Sequence, residues 1–367
     1  MTVKYAIIGS GMMGQEHIRN IGLVEGARIT AVAEPDAAMR AAAAALVPGD
    51  VAFCEDYREL LKRADADAFV VASPNHTHAE ILDRLIEDGR PVLVEKPVVK
   101  DREEARRIAD KAAGRDAPIW VAMEYRYMPG VTRLLADLKA GRAGRVHMVS
   151  ITERRFPFLP KVGNWNRFNA SSGGTLVEKC CHFFDLMRLM TGAEPARIHA
   201  IGGQAINHLD ESYDGRVPDV LDHSFVTIEF SNGVAAMLEL CMFAEGSHFQ
   251  ERVSAIGAEA LLEARVPGPG RFEPDGQCKH AEYAIADRAS RRETVEVMEV
   301  DPEILARGDH HGSTYYQHLG FNRMVREGGA PEVSLEDGLK AVAMGLAAQR
   351  SIAERQPVDL DATNYPA

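Results

Sequence analysis

Cysteine is scarce in this chain: Cys54, Cys180, Cys181, Cys241 and Cys278 are the five in 367 residues. None forms a C-x-x-C pair, and an odd count argues against a disulfide framework, so buried thiols are expected. Histidine does not replace cysteine as a metal ligand. His76-Thr77-His78 and His310-His311 lack a third and fourth ligand at metal-site spacing, and no metal is expected. Apolar runs are short, none approaching the ~20 residues that a membrane helix needs. Basic charge is in deficit: 42 Lys and Arg face 54 Asp and Glu, a net charge of -12. That balance argues against nucleic acid or an anionic membrane as the main partner, since both demand a basic surface. The first apolar run opens at Val3, which leaves no room for a signal peptide, so a cytoplasmic protein is expected. No internal repeat is evident, and Ala41 to Ala45 is the one low-complexity tract.

What is present divides into two halves, as a length of about two domains of ~150 residues permits. Residues 1–122 alternate strand and helix. The spacing predicts strands at Val3 to Ile8, Ile29 to Ala33, Val51 to Phe53, Ala68 to Ala72, Val92 to Val94 and Ile119 to Met123. Helices are expected after Gly14 and at Asp36 to Leu46, Tyr57 to Ala64, Ala79 to Asp88 and Arg102 to Ala113. Alternation of this kind means a parallel sheet with ligands at the carboxyl ends of its strands. Residues 123–367 read differently. Long alternating runs at Val146 to Arg155, Ala196 to Ile206, Ser224 to Phe243, Arg252 to Ala264 and Glu293 to Val300 predict a mostly antiparallel sheet, with a hairpin turn at Ser231-Asn232-Gly233. A helix over Gly174 to Met190 and two more at Thr314 to Arg326 and Leu335 to Arg355 should cover it, the last packing back towards the first half. The loops Asn207 to Leu221 and Val266 to Asp275 are peripheral.

The first strand runs into Gly9-Ser10-Gly11-Met12-Met13-Gly14 and then a helical pattern. In that setting Gly9 allows a tight turn, Gly11 lets the backbone approach a pyrophosphate, and Gly14 lets helix and strand pack closely. The helix N-terminus receives the phosphates. Glu34 ends the second strand about 20 residues on, where it can accept hydrogen bonds from an adenosine ribose. Its charge would repel a 2′-phosphate, so NAD is expected in preference to NADP. Ser73, Lys96 and Glu124 fall at further strand ends and converge on the same edge.

Two polar clusters carry chemistry. Glu95-Lys96-Pro97 puts a cation beside the nicotinamide position. Glu178-x-x-x-His182-x-x-Asp185 would present three groups on one helical face, with Glu178 orienting His182, the natural acid-base group near neutrality.

These residues resemble the glucose-fructose oxidoreductase, inositol dehydrogenase and rhizopine-catabolism family of NAD(P)-dependent oxidoreductases. The resemblance covers nearly the whole chain. It rests on Gly9 to Gly14, Ser73-Pro74-Asn75 with His78, Glu95-Lys96-Pro97, Arg126, Gly173-Gly174 and the Glu178, His182, Asp185 set. It implies an α/β protein: an N-terminal Rossmann domain, then a C-terminal α/β domain with an open sheet, assembled as a homodimer or homotetramer. It also implies oxidation of a secondary alcohol on a cyclitol, sugar or anhydrosugar, or the reverse, and often a cis Lys-Pro bond. The chain departs from the commonest pattern at Glu178 (usually aspartate), at Lys179-Cys180-Cys181 (usually a glycine-containing stretch) and at Glu124 (frequently asparagine).

On this reading His182 accepts the hydroxyl proton with Glu178 behind it, and Lys96 stabilises the oxygen, or the two exchange roles. Arg126, Trp165, Arg167, Asp185, His311 and Tyr315 are further candidates for the substrate's surroundings. Two alternatives stay open: a glycosidase or lyase that recycles its NAD internally, and a sensor that binds nucleotide without turnover. The intact lysine, glutamate and histidine set argues against the sensor.

Overall fold

A computed structural model describes residues 2–63, 65–361 and 365; Ala64, which closes the expected third helix, and the last residues of the 123–367 span lie outside that description. The first half is a six-stranded parallel sheet of β1 (Val3–Ile8), β2 (Ala27–Ala33), β3 (Ala52–Cys54), β4 (Ala68–Val71), β5 (Val92–Glu95) and β6 (Ile119–Ala122), in the order β3-β2-β1-β4-β5-β6. Chain order reverses between β1 and β4, which opens a crevice there for a ligand. Every residue of β4, β5 and β6 is buried, because helices α1 (Met12–Ile21), α2 (Ala37–Ala44), α3 (Tyr57–Arg63), α4 (Asn75–Asp88) and α5 (Arg102–Ala112) cover a sheet of this type on both faces. Helix α4 begins at Asn75, four residues before the expected start, so Asn75 and His78 lie in its first turn.

The second half is a nine-stranded sheet. Its members are β7 (Val146–Arg154), β8 (Pro195–Gly203), β9 (His223–Phe230), β10 (Ala235–Cys241), β11 (Glu251–Gly257), β12 (Ala260–Val266), β13 (Ala281–Asp287), β14 (Arg292–Met298) and β15 (Val358–Asp359). All neighbours run antiparallel except β7 and β10. The expected single strand from Arg252 to Ala264 is in fact the hairpin β11-β12, turned at Ala258-Glu259, and β13 had no alternation strong enough to be read in advance. Helix α6 (Pro129–Lys139), which starts on a proline at its first turn, was also not anticipated. One sheet face is packed and the other open: β9 alternates buried and exposed residues, leaving Phe225 and, on β8, Ile201 more than half exposed.

The expected helix from Gly174 to Met190 is two: α8 (Thr175–Glu178) and α9 (Cys181–Thr191), following the short α7 (Asn169–Ser172). After α10 (Pro302–Leu305), helix α11 (Ser313–Glu327) lies against the nucleotide half, where Tyr5 Oη donates to Asn322 Oδ1 at 3.0 Å. Helix α12 (Leu335–Glu354) does pack back: Gly338 faces Val121 so closely that a Cβ would stand 2.8 Å from it, and Gly345 meets the Leu176 carbonyl. Only Cys180 and Cys181 are buried thiols; Cys54 and Cys241 are half-buried and Cys278 is exposed. Among the described residues no helix is long and apolar enough to cross a membrane.

Candidate active site

A cleft of about 900 Å³ runs along the carboxyl ends of the parallel strands. Gly9 sits at φ +90°, and a Cβ there would lie 2.6 Å from the Ser73 nitrogen; one on Gly14 would lie 2.2 Å from the Gly9 carbonyl oxygen. Gly11 has nothing within 4 Å of a notional Cβ and caps α1 without a side-chain partner. Among the described residues no side chain caps that helix start, which leaves its first amides available to an anion. Glu34 is buried at the end of β2, accepting from the Ser10 amide at 2.6 Å and the Asp36 amide at 2.9 Å. Glycine cradle, bare helix terminus and buried acid together fit a dinucleotide.

Of the expected cofactor residues, Gly9, Gly11, Met12, Met13, Glu34, Ser73, Pro74, Asn75, Glu95 and Lys96 line this cleft. Four do not. Ser10 is held by Glu34, Gly14 is seated beneath Gly9, and the His78 ring spans Pro97 O at 2.8 Å and Ser73 O at 2.9 Å, tying the β4 end to the Lys96-Pro97 turn. That peptide bond is cis. The fourth, Glu124, faces a smaller inner cavity of about 110 Å³, which adjoins the cleft at Met12, Met13, Lys96 and Lys161.

The inner cavity collects Lys96, Glu124, Glu178 and His182, but not in the arrangement that one continuous helix would impose. The backbone breaks at Lys179 (φ −100°). In consequence the Glu178 carboxylate turns to Asn75 Nδ2 and to Lys161 Nζ at 3.3 Å, and only its carbonyl oxygen meets Lys96 Nζ, at 3.1 Å. Among the described residues the carboxylate that approaches His182 is Glu124, with Nε2 and Oε1 4.0 Å apart, and Nδ1 is buried without a hydrogen-bond partner. Burial, then the charges of Lys96 and Lys179, hold His182 well below the ordinary histidine value, so it is neutral. Lys96 behaves oppositely. Burial pushes it down, but Glu178, Glu95 and Glu124 outweigh that and keep it above the usual lysine range, hence an ammonium.

Several groups around the cavity carried no local signal. Glu16 and His17 lie on the inner side of α1: His17 Nε2 contacts Glu95 Oε1 at 2.9 Å, and Glu16 Oε1 contacts His310 Nδ1 at 2.9 Å and Thr314 Oγ1 at 2.9 Å. Polar residues on the buried side of an otherwise amphipathic helix were the available clue. Glu153 and Glu251 stand directly opposite one another on β7 and β11, a like-charge pairing that costs stability unless neutralised. Lys179 supplies one remedy, at 2.8 Å from Glu153. A proton supplies the other: burial, then Glu153, pushes Glu251 up to about 7.

Most of the further candidates point elsewhere. Arg126 and Asp185 are bound to each other through two hydrogen bonds, 2.6 Å and 2.5 Å. Arg167 Nε donates to Glu211 at 2.7 Å, and His311 Nε2 meets Pro267 O at 2.8 Å. Tyr315 packs edge-on against Tyr316. Trp165 does reach the cleft wall, with Lys161 Nζ 4.5 Å above its ring.

A Rossmann cleft opening into a cavity that holds a neutral imidazole and a lysine ammonium defines a nucleotide-dependent oxidoreductase. The chain belongs to the Gfo/Idh/MocA oxidoreductase family: residues 3–123 match its NAD-binding Rossmann fold and residues 136–360 its C-terminal α/β domain. Inositol 2-dehydrogenase of Rhizobium meliloti is 26% identical over 363 residues, 98% of this chain and 100% of that protein. Inositol 2-dehydrogenase 2 of Saccharopolyspora erythraea is 31% identical over 270 residues, 73% of this chain and 74% of that one. Levoglucosan dehydrogenase, solved with NADH and levoglucosan, superposes with a TM-score of 0.81 at 22% identity, covering 98% of this chain and 99% of that one.

Proposed function

We propose that this protein is an NAD-dependent dehydrogenase that oxidises a secondary alcohol of a cyclitol, sugar or anhydrosugar. The inositol and levoglucosan dehydrogenases among its relatives support that substrate class. The observation that carries the chemistry is the placement of His182 and Lys96 on one inner cavity that adjoins the cofactor cleft, with burial favouring the neutral imidazole and Glu178 favouring the lysine ammonium. A neutral imidazole takes up the hydroxyl proton, and the ammonium donates to the same oxygen as negative charge develops on it. NAD, when bound, supplies the acceptor for the hydride. The Gly9 to Gly14 turn and Glu34 would hold it, with Ser73-Pro74-Asn75 and Trp165 along its course. Glu178 serves the reaction indirectly, its carbonyl aiming Lys96 and its carboxylate holding Asn75 and Lys161.

Two further readings go with this one. Residues 1–122 form the nucleotide unit, and residues 123–367 the substrate unit. The open sheet face, with Phe225 and Ile201 exposed, supports assembly as a homodimer or homotetramer. The test is NADH formation with inositols, aldoses, anhydrosugars and glycosides, using NAD and NADP in parallel and Lys96→Ala as control. Turnover on a polyol that Lys96→Ala abolishes upholds the dehydrogenase. Cleavage of glycosides without net NADH would replace it with an internally recycling enzyme.

A further inference from the structure

We propose that Glu124, Thr314 and Glu16 carry the proton released by oxidation from the inner cavity to a second cleft bordered by α1. The inference rests on the dehydrogenase reading above. Its basis is a count of protons. Thr314 Oγ1 lies 2.9 Å from Glu16 Oε1 and 3.1 Å from Glu124 Oε2, yet a hydroxyl owns one proton and an ionised carboxylate only accepts. Both contacts are attractive only when one carboxyl is protonated and donates to the threonine oxygen. Glu16 and Glu124 are both buried, 4% and 1% exposed, so water does not relieve the conflict.

Glu124 is the one that holds the proton. Burial raises both acids, but Glu16 is paired with His310 and hydrogen-bonded by Thr314, which hold it down to about 2. Glu124 is faced by Glu95 and Glu16 as well as by Lys96, His310 and His182, and its value stays raised, burial being the largest cause. The protonated oxygen is therefore Glu124 Oε2, donating to Thr314, which donates to Glu16.

The chain has an inlet and an outlet. At the inlet, His182 Nε2 and Glu124 Oε1 are 4.0 Å apart, beyond a direct bond and short enough for one hydroxyl or water to touch both. At the outlet, Glu16 and Asp309 line both the inner cavity and a second cleft of about 310 Å³, bordered by Arg19 and Arg307. The step balances. When the alcohol O–H bond breaks, His182 gains the proton; it passes to Glu124 as Glu124 gives its own to Thr314 and Thr314 gives its own to Glu16. Glu16 then releases a proton to water in the second cleft, and every group returns to its starting state. None of the three touches substrate; they act through His182.

The full-length protein tests this in two ways. First, infrared difference spectra of wild type minus Glu124→Gln near neutral pH should show the carbonyl band of a buried protonated carboxylic acid; no such band overturns the relay, and this readout needs no turnover. Second, on whichever polyol wild type oxidises, Thr314→Val should slow turnover roughly tenfold, enlarge the solvent deuterium isotope effect and respond to added imidazole or formate, while Thr314→Ser restores wild-type behaviour. An unchanged isotope effect with no buffer rescue in Thr314→Val overturns the relay even if activity falls. If no polyol is oxidised, the dehydrogenase reading fails by itself, and the infrared band still decides where the proton sits.

Discussion

The phenol ring of Tyr125 lies flat against the imidazole of His182, centroids 4.1 Å apart and planes 6° from parallel. Its hydroxyl accepts from Lys179 and donates to Glu251 Oε1 at 3.1 Å. One residue thus fixes the plane of the proposed base and anchors it to the acid pair on the antiparallel sheet. Tyr125→Phe keeps the stack and removes the anchor, leaving Lys179 and Glu251 each short of a buried partner. Denaturant melts should show a loss of about 1–3 kcal/mol, with the KM for NAD unchanged. An unaltered midpoint would mean that the hydroxyl is not needed there.

His182 should govern the acid limb of activity. It is held below the ordinary histidine value, and only its neutral form accepts a proton, so kcat/KM should rise with pH through a value lower than ~6.5 and stay level across neutrality. Lys96→Ala and His182→Ala should each lower kcat by about 10²–10⁴. A limb centred at or above the ordinary value would remove His182 from the role.

His310 makes the opposite statement about stability. Burial works against its charge, but Glu124 and Glu16 raise it to about 9. A raised folded value means that its contribution is complete below the unfolded value of ~6.5 and is lost as pH climbs through about 9. Urea melts across that window should show wild type losing more stability than His310→Gln, about 3 kcal/mol with Glu124 ionised and less with Glu124 protonated as proposed above. Parallel curves would contradict it. Glu251, raised to about 7, titrates in both proteins and drops out of the difference.

Arg126 and Asp185 are a structural tie on this geometry, with Asp185 fully buried and Arg126 also donating to Glu332 O at 2.8 Å. Breaking one side of a buried pair costs about 3–5 kcal/mol. Asp185→Ala should therefore lower the melting temperature sharply, while the folded fraction keeps its KM for substrate. A stable variant with a raised KM would make Arg126 a substrate clamp instead.

The three glycines of the fingerprint should fail differently. Gly14→Ala drives a Cβ into the Gly9 carbonyl and should destabilise the protein itself. Gly11→Ala meets nothing within 4 Å among the described residues and should leave the unfolding free energy within about 0.5 kcal/mol of wild type, yet weaken NAD binding by blocking the approach of the pyrophosphate. Titrating NAD against intrinsic fluorescence, alongside thermal melts, separates the two.

How much of this was legible in advance depended on distance along the chain. The parallel sheet, the glycine turn and Glu34 were readable because strand, turn, helix and acid follow one another within one short stretch, each with its own local pattern. Lys96 was readable for the same reason, lying at a strand end. The Glu178-His182 partnership was misread because helical spacing assumes an unbroken helix, and the break at Lys179 redirects a carboxylate that periodicity alone would aim at His182. His310 and His311 looked like one cluster; a left-handed backbone at His311 (φ +51°) sends the two rings to different places.

The amino-acid sequence by itself determined the class of fold and the glycine turn, Glu34 and Lys96 that line the nucleotide cleft. Only the tertiary structure decided which carboxylate serves which base. Glu16, Glu124 and Thr314 come from α1, the end of β6 and the start of α11, and Thr314 stands 298 residues from Glu16. The physical reason is that a buried acid takes its charge state from whatever the fold packs against it, and packing joins segments that no local pattern connects.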